Sequence, residues 1–367
     1  MPLPTTFAGV SARGEGQFAR KSSNVLSYAN LWFSDTSTGS SEINRINYSG
    51  TLLNSYSPYP TYSANGAYGL CYGKDGNIWF NDLNNFLKIN PTTGTITIVF
   101  YPSNNGYQNV PIIAGNTVLY CATKSSNFYT INYNTLAVTT SSCSPTSGGS
   151  FVGANTNPGG ACLGADGTPW WVLNDGSLLN MYSPNNFSNL TPSFNGTVNG
   201  IGTIIGTTDG LVWYTTGQQY TTRATGYRGR VVVTYNNIAV LYSYDPSIGY
   251  YSITSTYFDY NTTSSSNYIT PGGLVTDGSG KFYCFSGDTL GNTYVSIWNN
   301  NTSTLTSRAY TVPSSGVLKQ MVFGTDGNIW GADPSGTITM MTTSGTFTVY
   351  RPLYPNASAP AVIMQGP

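Results

Sequence analysis

The chain has 367 residues, 39% of them hydrophobic and 14% aromatic, which is ample material for a large core. Only 8% are charged, and 14 basic residues balance 14 acidic ones, so no net field favours nucleic acid or an anionic membrane. No apolar run approaches the roughly 18 residues of a membrane span, and no window sustains helical periodicity. The 42 glycines and 20 prolines sit in short turn-like clusters between runs such as "TITIVFY" and "VVVTY", rich in β-branched and aromatic residues. This is the composition of an all-β protein, with solubility resting on Ser, Thr, Asn and Tyr.

In chain order, "MPLPTTFAGVSARGEGQFARK" comes first, with two prolines among its first four residues and no continuous apolar segment of a secretory signal. It concentrates Arg13, Arg20 and Lys21, and residues 1–21 read as an arm for docking onto other proteins.

From Ser22 onward the chain repeats itself. "GKDGNIWFND" at 73–82 returns as "GTDGNIWGAD" at 324–333, and the skeleton Asp-Gly-x-x-Trp occurs at Asp75, Asp166, Asp209 and Asp326. "NLWFSD" around Trp32 and the variants "IIAGNTVLYCAT" (112–123) and "GGLVTDGSGKFYCFS" (272–286) raise the copies to seven. Each complete copy has a short apolar strand before the motif and two further strands after it, as in "FLKINPTTGTITIVFY". Seven units of four short strands predict a seven-bladed β-propeller of antiparallel blades, starting near residues 22, 68, 110, 158, 199, 270 and 317. Asp-Gly should form a tight hairpin, both residues tolerating positive φ, that turns the innermost strand into the second. Alternation along the second strand then aims Ile78 and Phe80 at one neighbouring blade and Trp79 at the other. Trp32, Trp79, Trp170, Trp213 and Trp330 are expected to pack between blades.

The first unit lacks an innermost strand, and "APAVIMQG" (359–366) has the apolar pattern to supply it, closing the ring with the chain's other end. The fifth unit, from about Asn199 to Asp259, carries what reads as an insertion, "GQQYTTRATGYRGRVVVTYNN" (217–237), between its second and third strands. There Tyr220, Arg223, Tyr227, Arg228 and Arg230 combine aromatic rings with guanidinium groups, a pairing suited to a protein surface or a sugar. The alternative is a two-stranded ribbon that only extends the blade. The segment is too weakly charged for phosphate recognition.

Asp35, Asp82, Asp175 and Asp333 recur at the end of the second strand, on the same face as the 217–237 segment. Converging carboxylates there could hold Ca²⁺ through oxygen ligands, or each could cap its own turn. The cysteines at 71, 121, 143, 162 and 284 have no metal-type spacing and read as small buried hydrophobes.

"DGNIWF" after an apolar strand, followed by "KIN" or "RIN" strands ("FLKINPTTGTI", "INRINYSGTL"), resembles the virginiamycin B lyase family of seven-bladed propellers over residues 22–367. The resemblance implies that architecture. Family activity would look to histidine and glutamate beside a bound magnesium ion, yet this chain has no histidine and only Glu15 and Glu42. No catalytic position carries over, and the expectation is a non-enzymatic protein without a required cofactor. By composition the arm is similar to the amino termini of tailed-bacteriophage structural proteins. A charge-poor, hydroxyl-rich surface without an export signal fits a virion component, assembled in the host cytoplasm and displayed in several copies. Its expected partners are neighbouring virion proteins, through residues 1–21, and a host-surface glycan. A lyase-like enzyme and a soluble sugar-binding propeller are the alternatives.

Overall fold

The computed structural model describes residues 28–35, 42–57, 69–81, 85–100, 111–122, 127–142, 160–183, 186–190, 192, 197–225, 231–248, 250–261, 269–313, 317–318, 320–333, 337–350 and 360–367. Strands arrange as seven four-stranded antiparallel sheets, the blades of a β-propeller. Blades two to seven take their strands in chain order from the axis outward, within residues 69–100, 112–142, 161–190, 197–261, 269–311 and 320–350. Each innermost strand touches the innermost strand of both neighbours, and this series runs once around the axis and closes. Among the described residues no helix is long and apolar enough to cross a membrane.

Blade one is assembled from both ends of the chain, as its missing innermost strand predicts. Pro360–Gly366 lies innermost and pairs antiparallel with Asn30–Asp35, placing Gly366 opposite Asn30 and Met364 opposite Trp32. Ile363 and Met364 are fully buried, and the Trp32 indole donates to the Pro367 carbonyl at 3.0 Å.

The repeated tryptophans explain why the blades stay together. Trp32, Trp79, Trp170, Trp213 and Trp330 are all at most 2% exposed. In blade two the Trp79 ring lies 5.7 Å from Tyr133 of blade three, while Ile78 turns towards Trp32 and Gly366 of blade one. One strand thus serves two seams, as its period-two alternation requires. Burying one such indole contributes about 4 kcal/mol at 25 cal/mol per Å².

The motif's first half makes the turn. Gly76 donates to the Gly73 carbonyl at 3.0 Å and Gly73 to the Asn77 carbonyl at 2.8 Å, with Gly76 at φ +80°. This is a three-residue loop, a type I turn followed by a left-handed glycine, rather than the two-residue hairpin expected from Asp-Gly. Asp75 is not among the residues with positive φ. Its carboxylate instead accepts from the Asn77 amide at 3.2 Å and from the Trp79 indole at 2.9 Å, so the same Asp stabilises the turn and orients the seam residue. Asp326 does the same for Trp330 at 3.1–3.2 Å. In blade four the job is shared: Asp166 accepts from Thr168, whose hydroxyl accepts from the Trp170 indole.

A second repeated device locks the blade exteriors. The outer-strand tyrosines Tyr56, Tyr310 and Tyr350 each cover a positive-φ glycine in the last turn of the following blade: Gly94, Gly345 and Gly50. A Cβ added at Gly345 would come within 2.0 Å of the Tyr310 ring. Only glycine supplies both the backbone conformation and the space.

Candidate functional site

Because all innermost strands run in the same direction, the propeller has two chemically distinct faces. Turns joining first to second and third to fourth strands lie on one, the turn face. Connections from second to third strands and between blades lie on the other, the crossover face.

Blade five rises from the crossover face. Its second strand runs Val212–Thr225 and its third Val231–Asp245, paired without interruption from Val212 opposite Tyr244 to Thr225 opposite Val231. Residues 217–225 and 231–237 continue the two strands, the arrangement of the alternative reading in which a two-stranded ribbon extends the blade, and unbroken register and β-branched composition favour that ribbon. The fourth strand, Tyr250–Asn261, pairs only as far as Asn236, so beyond that point the ribbon is two-stranded. Tyr220 stands opposite Asn236 and Arg223 opposite Val233. Tyr227, Arg228 and Arg230 lie outside the described residues, as do the side chains of Tyr220 and Arg223.

The ribbon's root is held by an uncharged polar cluster that sequence reasoning missed. The buried Gln218 amide donates to the Thr216 hydroxyl at 3.0 Å and to the Tyr242 hydroxyl, and the Tyr242 ring stacks on Tyr214 at 5.2 Å. Thr216, Gln218 and Tyr242 are at most 3% exposed. A buried amide without a partner would cost about 1–3 kcal/mol, so these hydroxyls fix where the ribbon leaves the ring. The adjacent "TTGQQY" gave a signal only in its glutamines, polar residues inside an apolar alternation.

Asp175 is a local cap: it accepts from the Ser177 amide at 2.9 Å and the Ser177 hydroxyl at 2.5 Å. Asp35 and Asp333 end second strands, as expected, but their side chains and all of Asp82 lie outside the described residues. Among the described residues no three His, Cys, Asp or Glu side chains come together as a metal site would require. Burial pushes the Cys121 and Cys284 thiols up, so neither supplies a thiolate near neutral pH.

The turn face carries its own series of aspartates. Asp75, Asp166, Asp209, Asp277 and Asp326 occupy matching turns between first and second strands, and Asp245 a turn between third and fourth. Asp245 is held below its usual range by the Ser247 hydroxyl and then the Ser247 amide. Tyr28, the first described residue, lies on this face, edge-on to Tyr72 at 5.6 Å and accepting from the Thr325 hydroxyl at 2.9 Å. Arg13, Arg20 and Lys21 lie outside the described residues, but the chain that carries them enters the ring here.

Compared by sequence, the chain matches no family model and no curated protein. Among solved structures it is similar to a protein from Lactobacillus plantarum, at TM-score 0.56 and 10% identity over 92% of this chain and 98% of that one. It is also similar to the extracellular domain of a B. thetaiotaomicron protein assigned as a hybrid two component system, at TM-score 0.51 and 15% identity. That likeness covers 88% of this chain but 38% of the other, so the chain spans about two fifths of its length. At these identities the comparisons establish the seven-bladed propeller and nothing about activity.

Proposed function

We propose that the chain is a non-catalytic virion propeller of a tailed bacteriophage, anchored by its basic arm and presenting the blade-five ribbon to a host-surface glycan. The observation that carries this reading is polarity: the arm enters at the turn face, where Tyr28 sits, whereas the ribbon rises from the crossover face. A protein with attachment and presentation on opposite faces is a spacer, and a rigid ring of closed blades is suited to that role. The absence of histidine and the balanced, sparse charge support binding over general acid–base chemistry. Arginine and tyrosine in the ribbon suit sugar contact, and several copies per particle turn weak contacts into avidity.

The test mixes particles of the source phage with labelled full chain or its R13E/R20E/K21E variant, followed by electron microscopy. The full chain should decorate particles and the variant should not. Absence of decoration by either would sink the virion reading. Glycan-array binding by the full chain, lost in R223A, would assign the ribbon.

A further inference from the structure

We infer that the ring has one opening point, the seam between blades three and four, where those two blades part before any other neighbouring pair. This is independent of whether the protein belongs to a virion.

The blade in which the chain ends meet is not that point. Its closing pair runs from Asn30 opposite Gly366 to Asp35 opposite Pro360, with Ile363 and Met364 fully buried. A ring closed this firmly yields instead at its least filled seam.

Each blade sends the aromatic side chain of its repeat towards the next blade: a tryptophan in five of them, Tyr120 in blade three and Tyr283 in blade six. Tyr283 and the five tryptophans are at most 2% exposed, whereas Tyr120 is partly exposed. The Tyr120 ring does take the repeat's position, lying over Gly115 as Trp79 lies over Gly73. What differs is its size and the turn beneath it. Ala114 pairs with Leu119 where blade two pairs Tyr72 with Ile78, so the blade-three turn, "GNTV", is a residue shorter and contains no Asp. A phenol there covers less surface than an indole.

The inner strands on either side of this seam are also the shortest. Ile112–Ala114 and Ala161–Leu163 have three residues each, and every other innermost strand has four or more. Other seams are tied near the axis: Gly273 donates to the Leu318 carbonyl at 2.6 Å, the Thr203 hydroxyl to the Gly272 carbonyl at 3.4 Å, and the Gln365 amide to the Phe323 carbonyl. Blades three and four are held farther out, where Phe128 meets Trp171 edge-on at 5.1 Å and Phe187 at 5.4 Å. The seam therefore parts near the axis and hinges towards the rim, an opening that costs less than unfolding the ring.

Buried thiols read such openings. Cys71 and Cys121 lie between blades two and three, Cys162 between four and five, and Cys284 between five and six, so the native chain carries its own standards. Ala122→Cys and Ala161→Cys each place one thiol in the seam of blades three and four, at positions 4% and 1% exposed. Ala114→Cys and Ala332→Cys make the same change between blades two and three and between seven and one. Each full-length variant is labelled with iodoacetamide under native conditions, and the modified cysteine is located by mass spectrometry. Labelling at positions 122 and 161 should be on the order of tenfold faster than at 114, at 332 and at the four native thiols. Equal rates at all positions, the mark of whole-ring unfolding, would overturn the inference. So would fastest labelling in Ala332→Cys, which places the opening at the closing blade. If one variant of the pair fails to fold, the other decides on the same criterion.

Discussion

The two faces of the ring are built on different principles. On the turn face the recurring connection is determined by a few neighbouring atoms: an Asp or Asn side chain accepting from the amide two residues on, and a left-handed residue, usually glycine, ending the turn. On the crossover face the same device makes the second-to-third turns at Asp175 and Asp288, whereas blade five extends there into its long ribbon. Local chemistry dictates shape in the turns, and blade five's ribbon is where the crossover face is released from that duty. Surfaces free of packing duty are where binding residues accumulate in repeat proteins.

The largest expected contrast comes from Trp79→Ala set against replacement of residues 220–236 by a two-residue Asn-Gly turn. Losing the indole removes a buried seam contact and leaves the Asp75 carboxylate without its indole donor, and should cost about 3–5 kcal/mol. Shortening the ribbon should change stability by about 0.5 kcal/mol or less. Denaturant unfolding of both variants checks this, and a ribbon deletion as costly as Trp79→Ala would dissolve the distinction between the faces.

A sharper test lies within the turn face. Gly345→Ala imposes a side chain at φ +89° beneath the Tyr310 ring, and should cost about 2 kcal/mol. Replacing Tyr310 by Ala in the same chain should recover the steric part and leave the backbone part, which a double-mutant cycle separates.

The smallest effect is electrostatic. Asp245 is depressed in the folded state, so its contribution is present above the unfolded carboxylate value and is lost as pH falls through the lower folded value. Ser247→Ala should therefore lower the melting temperature near pH 6, and the gap to the unmodified chain should close on acidification through that window. A gap that widens in acid would refute the sign.

Seven blades and the closing strand were legible because both depend on local pattern. Asp-Gly-x-x-Trp marks where a strand turns and which side chain enters a seam, and "AVIM" is apolar enough to be an innermost strand. The turn type was not legible, because a two-residue and a three-residue loop use the same Asp-Gly and differ only in how the flanking strands register. Leu136 and Ser303 hold left-handed positions, φ +55° and +51°, with no glycine to advertise them. The length of the blade-five strands was hidden for a related reason: "YTTRAT" and "VVVTY" become strands by pairing with each other, and Gly226 and Gly229 between them read equally as a loop. Placing Tyr28 among the inner turns required knowing which end of the chain completes blade one.

That completion decides how the ring bears force. The partner of Asn30 is Gly366, so these two residues sit at the same end of one strand pair. Pulled apart sideways, they would peel the pair open one rung at a time, each rung bearing the whole load alone. Tension applied between the two ends of Asn30–Asp35 instead lies along that strand. It loads the rungs to Ile43–Asn47 and to Pro360–Gly366 together. The closing strand pair thus yields most easily when Asn30 and Gly366 are drawn apart across it, and resists most when the load runs along Asn30–Asp35.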